Sequence, residues 1–319
     1  MDASLYKFTT TSRGFKYHYF SSPPQDSSKP TVLFLHGFPS SSYGFGVLVP
    51  DLLGYGLTDK PNETPDYVVS KMCKDVIEIV DVENVGKPIV VGHDWGSTFA
   101  TRLANFHPER FIAFAFLTVA YVPPFVNFDY QKYLETTKAA TGFDQFSYMA
   151  FFADDNAPKI VEEHWDSFFS VAYPNNPAPN TYADPHAAFK GHILANMQGP
   201  LPSYFTEEDK VEHSKYILRD GIQGPLRWYK VVMDRPSLMA ADDETIPQEN
   251  YIVTQPTFYG GGTYDYICVP KLGQATMEKY CPRATLYEIE ADHWFILSHP
   301  KDLSDALLKW IKDEVLVGA

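Results

Sequence analysis

At 319 residues, of which 45% are hydrophobic, the chain is long enough to bury a sizeable core, which excludes fibrous and disordered classes. Its 26 basic and 40 acidic side chains give a net charge of −14 with no dense Lys/Arg run, so nucleic acid and anionic membranes are poor partners. Three widely spaced cysteines (Cys73, Cys268, Cys281) form neither a disulfide framework nor paired zinc-ligand spacing and suit a reducing compartment.

Residues 1–20 lack the apolar core of a signal peptide, and within them 15–20 alternates aromatic and polar residues as a half-exposed antiparallel edge would. Apolar runs at 31–35, 47–49, 88–91, 111–119, 257–259 and 285–289 read as strands. Helix-period segments alternate with them. Over 66–82 the apolar Val69, Met72, Val76 and Val80 make one stripe, and Leu303, Leu307, Trp310 and Ile311 repeat the spacing near the C-terminus. Alternating strands and helices predict an α/β protein with a mostly parallel sheet. From Val122 to Asp243 the alternation stops in favour of aromatic helical segments and Pro/Asn/Gly-rich connections such as 173–185. This predicts a discontinuous core, 1–121 and 244–319, with 122–243 as an inserted helical cap. The longest apolar stretch, 111–126, is broken by prolines and shorter than a membrane span. The terminal Val-Gly-Ala is no peroxisomal Ser-Lys-Leu address, so a soluble, cytoplasmic protein is expected.

The strongest chemical signal is Gly92-His93-Asp94-Trp95-Gly96, where an apolar strand runs into a helix over 95–106. Small residues on both sides of Asp94 fit a nucleophile elbow, a tight turn that lifts its central side chain into a site. The plainer reading of an Asp there is a helix cap. A carboxylate at an elbow needs no base to deprotonate it. It can displace a leaving group at saturated carbon to give an alkyl-enzyme ester, which water must then hydrolyse with help from a base and an oxyanion hole. Phe38 N–H, in the loop Leu35-His36-Gly37-Phe38-Pro39, and Trp95 N–H are the candidate donors, although Gly-Phe-Pro alone reads as a turn. His293 is the candidate base and Asp265 its orienting acid. Each follows a strand, in the chain order nucleophile, acid, histidine. Asp292 and His299 are nearby stand-ins.

His36-Gly37-Phe38-Pro39, Asp51-Leu52-Leu53-Gly54-Tyr55-Gly56 with Asp59-Lys60-Pro61, and His93-Asp94-Trp95-Gly96 resemble motifs of the α/β-hydrolase superfamily and, within it, of the epoxide hydrolases. The resemblance implies an α/β-hydrolase fold, an eight-stranded mostly parallel sheet under a helical cap, with two cap tyrosine hydroxyls that assist ring opening. Gly224-Pro225-Leu226-Arg227-Trp228-Tyr229 resembles the segment carrying one of them, Tyr229. Tyr148, ahead of a helix-forming stretch at 157–171, is the choice for the other. Tyr130 is a rival that sits too near the cap entry. His36, Pro39 and Trp228 are implied substrate contacts. The substrate implied is a small hydrophobic epoxide, with water as co-substrate, no metal or organic cofactor, and a monomer or homodimer. Haloalkane and haloacid dehalogenases share the nucleophile motif but would need halide donors, such as Trp95 with Trp165 or Trp228. A catalytically silent ligand-binding member of the fold is the other alternative. One departure stands out: only 15 positions separate His36 from Asp51, where similar enzymes place about a dozen more residues and a crossover helix. That shortening predicts lost cover on one sheet face and a destabilised or less active protein.

Overall fold

The computed structural model describes residues 3–22, 29–40, 48–142, 145–176, 188–234 and 237–317. Eight strands form one sheet in the order β1-β2-β4-β3-β5-β6-β7-β8: β1 Tyr6–Thr10, β2 Lys16–Ser21, β3 Val32–Leu35, β4 Leu48–Pro50, β5 Ile89–His93, β6 Ala113–Leu117, β7 Thr257–Gly262 and β8 Ala284–Ile289. β2 pairs antiparallel with β1 and β4, and every other pairing is parallel. The central strands β5 and β6 are buried at every residue, as expected of strands covered on both faces. β1, whose Tyr6-Lys7-Phe8-Thr9 alternates aromatic and polar residues, was not expected. It is held by backbone pairing to β2 while most of its side chains stay partly or fully exposed.

Helix α1 (Val69–Val82) buries the expected Val69, Met72, Val76 and Val80 stripe together with Cys73, Ile77 and Ile79. Helix α2 (Trp95–Phe106) buries nearly its whole length beneath the sheet and the inserted segment. Between β6 and β7 all regular elements among the described residues are helical: Tyr130–Thr141, Tyr148–Ala153, Ala157–Glu163, Trp165–Ala172, Ala188–Leu194, Glu207–Leu218, Gln223–Met233, Leu238–Asp243 and the short turn Gln248–Tyr251. The single helix expected over 157–171 breaks at His164, whose φ of −122° leaves the helical region. Trp165 restarts the chain with its indole N–H donated to Ser214 Oγ at 2.7 Å. Among the described residues no helix is long and apolar enough to cross a membrane.

One buried ion pair ties both ends of the inserted segment to α2. Arg102, fully buried, donates from Nε and one terminal nitrogen to the two oxygens of Asp243 at 2.6 Å each, and from the other to the carbonyl of Val122 at 2.6 Å. Phe125 N–H also donates to Asp243, at 2.8 Å. The segment's entry and exit therefore meet on one guanidinium.

The shortened connection, Phe45-Gly46-Val47 included, lies outside the described residues, as does the 173–185 connection from residue 177 on. At the border of the shortened connection β4 is three residues long and pairs with β3 at Leu33 and Leu48. On the sheet face beside it a cavity of about 200 Å³ is walled by Phe34, Leu35, Val91, Leu117, Leu303 and Leu307.

Candidate active site

Asp94 stands between β5 and α2 with φ 54° and ψ −122°, a left-handed backbone that costs a non-glycine residue of order 1–3 kcal/mol. The turn closes only because its neighbours lack side chains. A Cβ on Gly92 would lie 2.3 Å from the carbonyl oxygen of Gly96, and one on Gly96 would lie 2.0 Å from that of Leu35. A Cβ on Gly37 would strike Asp94 Oδ1 itself at 2.3 Å. The Asp94 carboxylate makes no capping bond inside α2, so the helix-cap reading fails. Oδ1 instead accepts the Phe38 N–H at 2.8 Å, and the Trp95 N–H also hydrogen-bonds the carboxylate. The two amides singled out in the sequence thus both hydrogen-bond the Asp94 carboxylate.

His293, between β8 and the helix Phe295–Ser298, presents Nδ1 to Asp265 Oδ2 at 2.8 Å and Nε2 to Asp94 Oδ2 at 3.7 Å. Asp265 is buried, and its other oxygen accepts the N–H groups of Ile267 at 2.9 Å and Cys268 at 2.8 Å. Burial works against the Asp265 charge, yet His293 and those donors hold its carboxyl below the usual range. Burial likewise opposes the His293 charge, but Asp265 and then Asp94 outweigh it and raise the imidazole to about 9. Burial raises the Asp94 carboxyl, opposed by His293 and by the Phe38 and Trp95 amides.

The inserted segment closes the site. Tyr229, on the helix Gln223–Met233, packs edge-on against Trp95 with centroids 5.2 Å apart, and Tyr148 lies 6.1 Å from Tyr229. Burial pushes both phenols well above their ordinary value, so both are protonated donors at neutral pH. Both tyrosines share with Asp94, Phe38, Pro39 and His293 the wall of a cavity of about 70 Å³. A second, mainly apolar cavity of about 540 Å³ adjoins it and shares Asp94, Tyr148 and Ile267.

Other expected residues are placed elsewhere. Trp228 donates its indole N–H to the carbonyl of Leu53 at 2.9 Å and packs behind Trp95, lining neither cavity. His36 accepts the Leu52 N–H on Nε2 at 3.0 Å and meets the Gly37 carbonyl through Nδ1 at 3.0 Å, which braces the loop from behind. Neither side chain lines these two cavities; each packs behind residues that do. Tyr130 spends its hydroxyl on the Phe146 carbonyl at 2.9 Å. Neither Asp292 nor His299 lines either cavity. With Trp165 bonded to Ser214 and Trp228 to Leu53, the halide-donor pairs considered for a dehalogenase are not assembled.

Three contributors went unremarked in the sequence. His93 lies edge-on to His293, 5.1 Å between centroids, and donates Nε2–H to the His293 carbonyl at 3.0 Å. Burial lowers its own pKa to about 3 and keeps it neutral. Tyr173 and His213 both reach the Pro39 carbonyl at 2.6 Å, clamping the donor loop from the inserted segment. His93 is visible in the nucleophile motif itself, whereas Tyr173 and His213 carry no signal apart from residue type.

Residues 30–300 match the family described as alpha/beta hydrolase fold. Epoxide hydrolase 3 of Siraitia grosvenorii is 30% identical over 238 residues, covering 70% of this chain and 71% of that protein. Bifunctional epoxide hydrolase 2 of Mus musculus is 24% identical over 97% of this chain. The chain spans only 55% of that longer protein's length. The structure superposes on epoxide hydrolase A of Mycobacterium thermoresistibile with a TM-score of 0.75 at 22% identity, covering 97% and 98% of the two chains, a likeness of fold. The chain therefore belongs to the α/β-hydrolase fold family and, within it, to the epoxide hydrolase group.

Proposed function

We propose that the protein hydrolyses an epoxide to a vicinal diol through an ester on Asp94. One observation carries the reading: a carboxylate at the elbow and two protonated tyrosine hydroxyls line the same small cavity. The hydroxyls of Tyr148 and Tyr229 hydrogen-bond the epoxide oxygen, and one of them supplies the proton that the opening ring needs. Oδ1 of Asp94 is engaged by the Phe38 amide, so Oδ2, the oxygen facing His293, attacks a ring carbon as the C–O bond breaks. The product is a hydroxyalkyl ester and a tyrosinate.

Esterification removes the negative charge of Asp94, one of the charges that raise His293. The imidazole then releases its proton more readily and becomes the base for the second step. Held by Asp265, it takes a proton from water as the hydroxide attacks the ester carbonyl, and the Phe38 and Trp95 amides receive the oxyanion. Collapse frees the diol and the Asp94 carboxylate, and the tyrosinate recovers its proton. The largely apolar walls fit an epoxide with hydrophobic substituents.

The test is intact-mass measurement of the His293→Gln protein mixed with an epoxide such as styrene oxide. The expected result is a stable adduct of the epoxide's mass that maps to Asp94. A folded variant giving no adduct across a broad epoxide panel, or an adduct elsewhere, overturns the reading.

A further inference from the structure

Folding brings to the triad a cysteine that sequence spacing leaves isolated. Cys268 follows Asp265 by three residues, and its N–H donates to Asp265 Oδ1 at 2.8 Å, which turns this short loop back on itself. As a result Asp265, Cys268 and His293 each present a ligand atom, and the three atoms lie within 4.8 Å of one another. We propose that this trio captures a thiophilic divalent cation of the Zn²⁺ or Cd²⁺ class, and that capture arrests turnover.

A thiolate, an imidazole nitrogen and a carboxylate oxygen are a donor set suited to such ions. Bonds of about 2.0–2.3 Å put tetrahedral donors roughly 3.3–3.8 Å apart, so side-chain movements of about an ångström complete three corners and leave the fourth for water. Asp265 has an oxygen to give: Oδ1 is held by two amides, whereas Oδ2 faces only His293. Cys268 lines the 540 Å³ cavity and is only partly buried, which gives the ion a route in.

The protons balance as two losses. The ion replaces the Cys268 thiol proton and the Nδ1 proton that His293 shares with Asp265, and both go to solvent, so capture strengthens as pH rises. His293 then loses its carboxylate partner and gains a cation where its proton was. The arrest, though not the capture, rests on the epoxide hydrolase reading.

Cd²⁺ is the probe. The full-length protein is titrated with CdCl₂ while the ultraviolet charge-transfer band of a cadmium–thiolate bond and epoxide turnover are followed together. One equivalent should develop the band and abolish turnover in step, and EDTA should restore both. In Cys268→Ser the band should be absent, and half-inhibition of that variant's own metal-free rate should need at least about tenfold more Cd²⁺. A band that persists in the variant, no band in the parent, or a full band with unchanged turnover overturns the proposal. Should the variant fail to fold, alkylation of Cys268 by iodoacetamide in the parent decides, read by peptide mass. Protection by Cd²⁺ supports the site, and equal labelling overturns it. A metal-free protein that turns over no epoxide would sink the reading of function, while the band would still decide the site.

Discussion

In the proposed mechanism, the hydroxyl protons of Tyr148 and Tyr229 decide how the first step runs. Burial raises both phenols, with Asp94 adding to the effect, so each is a donor over the whole neutral range. Tyr229→Phe and Tyr148→Phe should each slow ester formation by about 10²–10⁴-fold while leaving hydrolysis of the ester much less affected. Stopped-flow Trp fluorescence in single turnover separates the two steps, and a loss confined to hydrolysis contradicts the assignment. His293 carries a pH signature of its own. Its folded pKa, about 9, lies above the unfolded value near 6.5, so the folded state binds more proton between them. That stabilisation is complete below about 6.5 and is lost as pH rises toward about 9. Urea midpoints of the parent should fall across this window, and those of His293→Gln should be flatter; parallel slopes would show that His293 is not the group. The company of Asp94, Asp265 and His293 could be read from chain order because their motifs follow strands β5, β7 and β8, whereas Tyr148 and Tyr229 lie on helices and were chosen by resemblance. Trp228 belongs to the Tyr229 motif but turns its indole to the Leu53 carbonyl, a contact that the motif letters do not reveal.

The element that decides whether the tyrosines meet Asp94 is α2, which carries the elbow at one end and Arg102 further along. Through Arg102 it holds the entry of the inserted segment at Val122 and its exit at Asp243. Asp243→Asn keeps the shape but leaves a guanidinium buried without its counter-charge, which costs about 3–5 kcal/mol. The variant should be less stable by that order in urea unfolding. It should also form the ester more slowly than it hydrolyses it, because Tyr148 and Tyr229 move with the segment while His293 and Asp265 do not. Equal slowing of both steps would mean that the pair supports the whole fold and not the placement of the segment. None of this was visible in the sequence, where an Arg in a helix and an Asp near a boundary read as solvated surface. β1 did leave a signal, the alternation Tyr6-Lys7-Phe8-Thr9, which is short and sits at an exposed edge.

At the scale of the whole molecule, the 200 Å³ cavity lies between residues of β3, β5 and β6 and those of the C-terminal helices. Leu307, on the C-terminal helix Pro300–Trp310, lines the void. In a well-filled core Leu307→Phe would overpack and destabilise by about 1–3 kcal/mol. Here the larger ring has space to enter, so the substitution should stabilise by up to about 1 kcal/mol and raise the melting temperature by roughly 2 °C. The sign is the test, read by thermal unfolding with epoxide turnover measured alongside. A higher melting temperature with unchanged turnover places the deficit in the sheet cover, and a lower one means that the face is already filled.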